Sequence, residues 1–309
     1  MNKTLIVIAG PTAAGKTALA IQVALHFQAE IISADSRQFY KEMSIGTAKP
    51  SEAELAMVKH HFINSHSIHD VFSVGDFEKE VLKRLDQLFK QSDQVVLVGG
   101  SGLFINAVCD GFDELPKAPK EIRDRLNLIL DEKGIKVLQE SLRKIDPIYF
   151  DEVDIQNPQR IIRALEVYET TGLAFSSYRT KVKKKREFNV IKLAITPPRV
   201  RLYEQINSRV DQMIKQGLIA EVKALYDYRS LNALNTVGYS ELFDYLDGNI
   251  SEEEAIEKIK QNTRRFAKRQ ITWFKKTEDM KWYEPSALGD IIKDLDDALR
   301  DSHNEGQKN

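Results

Sequence analysis

The residues best equipped for chemistry begin at position 10. Gly10-Pro11-Thr12-Ala13-Ala14-Gly15-Lys16-Thr17 follows the β-branched run Leu5-Ile6-Val7-Ile8 and precedes an apolar-periodic stretch. This is the GxxxxGK[ST] pattern between a strand and a helix, the context in which it means a phosphate loop. Glycines at the two ends let the backbone curl so that successive N–H groups converge on one anion. The helix N-terminus adds partial positive charge, Lys16 adds a full one, and the Thr17 hydroxyl can ligate Mg²⁺. A chance glycine-rich turn would have to reproduce every fixed residue and both flanks. A phosphate or pyrophosphate is therefore expected on residues 10–17.

The acid that would work beside that phosphate is displaced from its usual place. An ATPase normally ends a neighbouring apolar strand in a Walker-B aspartate, but Val95-Val96-Leu97-Val98 runs into Gly99-Gly100-Ser101-Gly102. The carboxylate comes instead from Ile32-Ser33-Ala34-Asp35-Ser36-Arg37-Gln38, and no Asn-Lys-x-Asp guanine reader is present. The loop need not hold a nucleoside triphosphate. Residues 258–276 carry eight Lys/Arg and no Asp/Glu, with Phe266, Trp273 and Phe274 interleaved. On a helix Arg264 shares a face with Lys268, and Arg265 with Arg269. Such a run is either a solvated amphipathic helix or a surface for a polyanion. The second basic run, Lys181-Val182-Lys183-Lys184-Lys185-Arg186, reads as a solvated loop. His60, His61, His66 and His69 with Asp70 fit no common zinc spacing, and Cys109 reads as a buried small hydrophobe.

These groups need a scaffold, and the rest of the chain describes one. It has 309 residues and 35.3 kDa, 42% hydrophobic and 29% charged, with net charge −1 and pI about 6.6. A sizeable core is available, and a uniformly basic nucleic-acid binder is argued against. One cysteine excludes an internal disulfide framework. No apolar run approaches the ~20 residues of a membrane helix, and Met1-Asn2-Lys3-Thr4-Leu5 is no signal peptide, so a cytoplasmic protein is expected; a monomer is expected as well. Four β-branched runs, at residues 5–8, 30–33, 95–98 and 190–195, alternate with helical patterns. One pattern is Leu19, Ile21 to Val23 and Leu25; another is Phe77, Val81, Leu85 and Leu88; a third is Leu202, Ile206, Val210 and Met213, stopped by Gly217. Near-continuous apolar strands alternating with helices mean an α/β fold, a P-loop-type parallel sheet with helices on both faces. Residues 116–186 are helical and highly charged, with Tyr149, Phe150, Ile155, Ile161, Ile162, Leu165, Val167 and Tyr168 as a small core. They are expected to form a helical insertion domain in a catalytic core of residues 1–115 and 187–309, and the tail after Asp301 is expected to fray.

Six blocks in order resemble the bacterial tRNA dimethylallyltransferase family. They are residues 10–17, Ala34-Asp35-Ser36-Arg37-Gln38 through Tyr40, Ile45-Gly46-Thr47-Ala48-Lys49-Pro50, Gly99-Gly100-Ser101-Gly102-Leu103-Phe104, Asn157-Pro158-Gln159-Arg160-Ile161-Ile162-Arg163-Ala164, and Arg264 to Phe274. The resemblance implies a P-loop-type core with a mobile helical insertion, Mg²⁺, and transfer of a dimethylallyl group from its pyrophosphate to N6 of tRNA adenosine 37. The chain departs from the family pattern at Ser44, which replaces an aspartate, at Ser101, which replaces a threonine that also carries a hydroxyl, and along Ser65-His66-Ser67-Ile68-His69-Asp70.

That chemistry assigns roles. Residues 10–17, with Lys16, Arg209 and Mg²⁺ at Thr17, would neutralise the departing pyrophosphate. Asp35 would act as general base on the amine, with Ser101 orienting it. Extruding a stacked base requires cationic and stacking contacts. The resemblance points for these to Asp35, Ser36, Arg37, Gln38, Ser101, Arg123, Gln159, Arg160, Ile161, Ile162, Arg163, Arg264, Lys268 and Arg269. For Gln159, Arg160 and Arg163, pairing with Glu166 or Glu169 is an equal alternative. A nucleoside or metabolite kinase shares the loop and the core, and a nucleotide-gated, non-catalytic RNA binder is a third reading.

Overall fold

The computed structural model describes residues 3–180 and 182–306, with side-chain surroundings up to Asp301. Met1 and Asn2, Lys181 of the second basic run, and the end of the polar tail lie outside the described residues. The chain divides into two compact units, one of residues 1–110 and 185–309, the other of residues 111–184. The junctions lie before the expected 116 and 187, the first where helix Gly102–Asp110 ends at Gly111, whose φ of +90° breaks it.

The larger unit holds a six-stranded sheet. Its strands are β1 (Thr4–Ala9), β2 (Ile31–Ser33), β3 (His60–His61), β4 (Gln94–Gly99), β5 (Asn189–Ile195) and β6 (Lys281–Tyr283). They lie in the order β3-β2-β4-β1-β5-β6 and every pairing is parallel. The two short edge strands carry no apolar run, which is why the sequence shows only four. Side chains of β1 alternate between two cores. Leu5, Val7 and Ala9 pack with Val95 and Leu97 against Phe77, Val81, Leu85 and Phe274. Ile6 and Ile8 pack with Val96 and Val98 against Leu19, Ala20, Val23 and Leu295. Both faces are thus buried, each large apolar side chain contributing about 1.5–3 kcal/mol, and the strands read as continuous apolar text for that reason. Leu25, expected in the core, is instead exposed on helix Lys16–Phe27.

Arg186 also differs from expectation, being largely buried rather than solvated. Its guanidinium pairs with Glu78 at 2.7 Å and donates to the Val108 and Ala107 carbonyls at 2.8 and 2.6 Å. Those carbonyls lie in the last turn of helix Gly102–Asp110, where a cation is favoured. In the smaller unit, helices Lys120–Lys133, Ile135–Ile145 and Pro158–Thr171 enclose Leu126, Leu138, Leu142, Tyr149, Ile161, Ile162 and Leu165. Among the described residues no helix is long and apolar enough to cross a membrane.

Candidate active site

Ligands of open parallel sheets bind beyond the carboxyl ends of the strands, and the chemistry-bearing segments leave that edge together. The phosphate loop follows β1, Asp35 follows β2, and the Gly99–Gly102 turn follows β4. Gly10 has φ +148°, and a Cβ there would collide with the Ile195 carbonyl oxygen at the end of β5. Ala13 adopts φ +62°, a left-handed conformation costing about 1–2 kcal/mol. Such left-handed residues turn consecutive N–H groups toward one concavity. Helix Lys16–Phe27 then starts from Gly15 with no side-chain cap, so its first N–H groups stay available to an anion.

Three charges converge here. Burial lowers the Lys16 pKa to about 8; the Asp35 carboxylate opposes the shift and the Arg209 guanidinium adds to it. The Lys16 ammonium bends back onto the Pro11 carbonyl at 2.7 Å. Burial likewise lowers Arg209, against Asp35 and then Glu54. Asp35 Oδ1 accepts the Arg37 N–H at 3.0 Å, and Ser101 Oγ accepts the Ser36 N–H at 3.1 Å and lies 3.3 Å from Ser36 Oγ. A Cβ on Gly99 would collide with the Ala34 carbonyl oxygen, so the glycine is what lets these two turns touch. Lys49 is a further cavity lysine whose pKa burial lowers to about 8; it donates to the Tyr40 carbonyl at 2.6 Å and Asn64 Oδ1 at 2.5 Å.

Two cavities of about 380 and about 450 Å³ adjoin at this point. The first is floored by Thr12 to Ala18, and the second reaches Arg37, Ser101 and Arg269. Both are lined by Thr12, Asp35, Arg209, Met213, Phe266 and Gln270. Asp35 therefore stands where the compartment floored by the glycine-rich loop adjoins the one that reaches Ser101. The Thr17 hydroxyl lines the first compartment with no hydrogen-bond partner among the described residues. A free hydroxyl beside anion-binding N–H groups suits a hard, oxygen-preferring divalent cation.

Other expected residues are already engaged. Gln38 accepts from Ser33 Oγ at 3.2 Å and donates to the Thr47 and Ala48 carbonyls, each at 3.2 Å, so it braces the cavity wall. Arg37 donates to the Asn235 carbonyl at 3.1 Å, and Arg264 to Asn207 Oδ1 at 2.6 Å. In the smaller unit Arg123 grips Glu166, which is only 2% exposed, and Arg163 reaches the same carboxylate at 3.2 Å and the Pro116 carbonyl at 2.9 Å. Burying that carboxylate unpaired would be costly, so both arginines are tied to it. Ile161 and Ile162 are 0% exposed and form the insertion's core, which corrects their assignment as tRNA contacts. Gln159 and Arg160 are exposed. The basic helix Glu252–Phe274 divides: Lys260 pairs with Asp211 and Glu257, each at 2.9 Å, whereas Lys268 and Arg269 are exposed with no carboxylate partner among the described residues. The histidines go separate ways. His60 donates Nδ1–H to the Val58 carbonyl at 2.7 Å, His61 lies 2.5 Å from Glu30, His66 stacks on Phe72, and His69 meets Tyr228 edge-on.

Sequence reasoning missed two residues and left a third without a place in the site. Gln270, 7% exposed, accepts the Thr12 N–H at 2.8 Å and donates to the Gly100 carbonyl at 2.9 Å, tying the phosphate loop to the glycine turn. Its signal was a polar residue on the apolar stripe Ala267, Ile271 and Phe274. Glu221 accepts the N–H groups of Ser44, Ile45 and Gly46 at 2.9, 2.8 and 3.0 Å and the Tyr239 hydroxyl at 2.6 Å. Backbone donors are used there, so the Glu221 bonds do not depend on the side chain at position 44. Phe266 read as a core aromatic or a surface stacking group; in the structure it lines both cavities.

A family model described as IPP transferase matches residues 38–277. A tRNA dimethylallyltransferase of Christiangramia forsetii is 53% identical over 92% of this chain and 94% of its own length, and one of Flavobacterium johnsoniae is 47% identical over 97% and 99%. Among solved structures, a tRNA isopentenylpyrophosphate transferase from Bacillus halodurans aligns with TM-score 0.72 and 36% identity over 99% of this chain and 98% of its own. A eukaryotic dimethylallyltransferase, solved acting on tRNA, aligns with TM-score 0.77 and 28% identity over 93% of this chain and 75% of its own. With the phosphate loop, the displaced aspartate and the glycine turn gathered at one sheet edge, these matches place the chain in the IPP transferase family, among the tRNA dimethylallyltransferases.

Proposed function

We propose that this chain transfers a dimethylallyl group from dimethylallyl pyrophosphate to N6 of adenosine 37 in tRNA, releasing pyrophosphate. The observation that carries the reading is the meeting of two compartments at Asp35, one suited to a diphosphate and the other open to a polynucleotide. The N–H groups of residues 10–17, Lys16 and Arg209 hold the diphosphate and stabilise the charge that develops as the carbon–oxygen bond breaks. Mg²⁺, with Thr17 as its protein ligand, would supply further neutralisation of the leaving group. Ile45, Met213 and Phe266 give the first compartment apolar surface for the prenyl carbons. Asp35 keeps one carboxylate oxygen on the Arg37 N–H, leaving the other to accept the N6 proton as the carbon–nitrogen bond forms. Ser101, steadied by Ser36, orients the amine. Arg37, Lys268 and Arg269, with Gln159 and Arg160 on the insertion, contact the tRNA backbone, and the setting is cytoplasmic.

The test is mass spectrometry of adenosine 37 after incubating tRNA with the protein, dimethylallyl pyrophosphate and Mg²⁺. A gain of one five-carbon unit is expected, and no gain on a tRNA with adenosines at positions 36 to 38 refutes the reading. Thermal stabilisation by ATP in preference to dimethylallyl pyrophosphate would instead favour a kinase.

A further inference from the structure

Trp273 is 40% exposed, unusual for the largest apolar side chain. It sits on the last turn of helix Glu252–Phe274, and a Cβ on Gly102 would collide with its indole. The ring therefore lies against the backbone next to Ser101, and Ser101 lines the second compartment. On the same helical face Arg269 and Lys276, four residues before it and three after, are exposed with no carboxylate partner among the described residues. The Arg269 guanidinium stands 5.7 Å over the Phe266 ring. An exposed aromatic face flanked on its helix by unpaired cations is complementary to a base on its phosphodiester backbone, and poorly suited to an apolar protein partner.

We propose that the Trp273 indole is a stacking platform for a nucleobase flanking the extruded adenosine, at position 36 or 38. Extrusion removes one base from the stack and leaves its neighbours each with an uncovered face. An indole beside the pocket that receives the flipped base covers one of them and holds the loop open. This rests on the proposed tRNA reading and adds a residue that sets its specificity.

The chain has two tryptophans, and the other, Trp282, is partly buried against the sheet. A Trp282→Phe protein thus reports on Trp273 alone. An anticodon stem-loop should quench its fluorescence, and an abasic substitution at either 36 or 38 should abolish the quench while some binding persists. Trp273→Ala should raise KM for the stem-loop about 5- to 150-fold, the range of base–aromatic stacking, with kcat moving far less; Trp273→Phe should recover most of the loss. Stem-loop binding without quenching, or quenching indifferent to both abasic positions, overturns the platform and leaves the proposed function standing. A Trp273→Ala protein that loses kcat at unchanged KM also overturns it, since the indole would then only support the Gly102 turn. If the unmutated protein neither binds nor modifies the stem-loop, the function itself fails.

Discussion

Replacing Gln270 by Met separates hydrogen bonding from packing, because the two side chains have nearly the same volume and reach. Two bonds are lost, and they differ in cost. The Thr12 N–H lies at the cavity and can turn to water, so its bond is worth about 0.5–1.5 kcal/mol. The Gly100 carbonyl is buried, and leaving it without a donor costs about 1–3 kcal/mol. The sum is a destabilisation of about 1.5–4.5 kcal/mol, measured by urea unfolding at constant slope. A functional consequence follows from the same geometry. With the loop and the glycine turn uncoupled, affinity for dimethylallyl pyrophosphate should fall and kcat should fall with it, because Ser101 sits one residue past Gly100. A Gln270→Met protein within 0.5 kcal/mol of the parent and unchanged in turnover would refute the argument that this amide braces the site.

Asp35→Asn should keep its bond to the Arg37 N–H yet lose the proton acceptor. We expect kcat to drop about 10²- to 10⁴-fold with KM for tRNA little changed; unaltered turnover would move the base elsewhere. Affinity for dimethylallyl pyrophosphate should weaken as pH rises through about 8, because the ligand-free Lys16 ammonium loses its proton there. Lys16→Arg stays charged and should flatten that titration, the remainder belonging to Lys49; an identical profile in both proteins would exclude Lys16 from the diphosphate. The same shift has a stability sign. Between about 8 and the unfolded value of 10.5 the unfolded chain binds more protons, so ligand-free protein should gain stability as pH rises through that window. Lys268→Ala with Arg269→Ala should reduce the log–log salt slope of tRNA binding by about 1.4 to 1.8, two phosphate contacts' worth, and an unchanged slope would make both side chains merely solvated.

Local rules decided much of this protein. The four apolar runs, the helical periodicities and the phosphate loop follow from residue type and spacing, because backbone conformation and side-chain direction repeat with fixed periods. The loop's pattern could be read because its parts are contiguous: glycines, lysine and threonine lie within eight residues. What spacing could not supply was the choice of partner for each charge. The Arg163–Glu166 pair was legible at i,i+3 spacing, but only packing brings Arg123 to the same carboxylate and Arg186 to the buried Glu78. Ile161 and Ile162 share a motif with exposed Gln159 and Arg160, and helix geometry turns them inward. Gln270 and Glu221 act on backbone groups far away in sequence, at Thr12 and at Ser44 to Gly46. A hydrogen bond to a peptide N–H leaves no mark on the residue that owns it, so that part of the site existed only once the chain had folded.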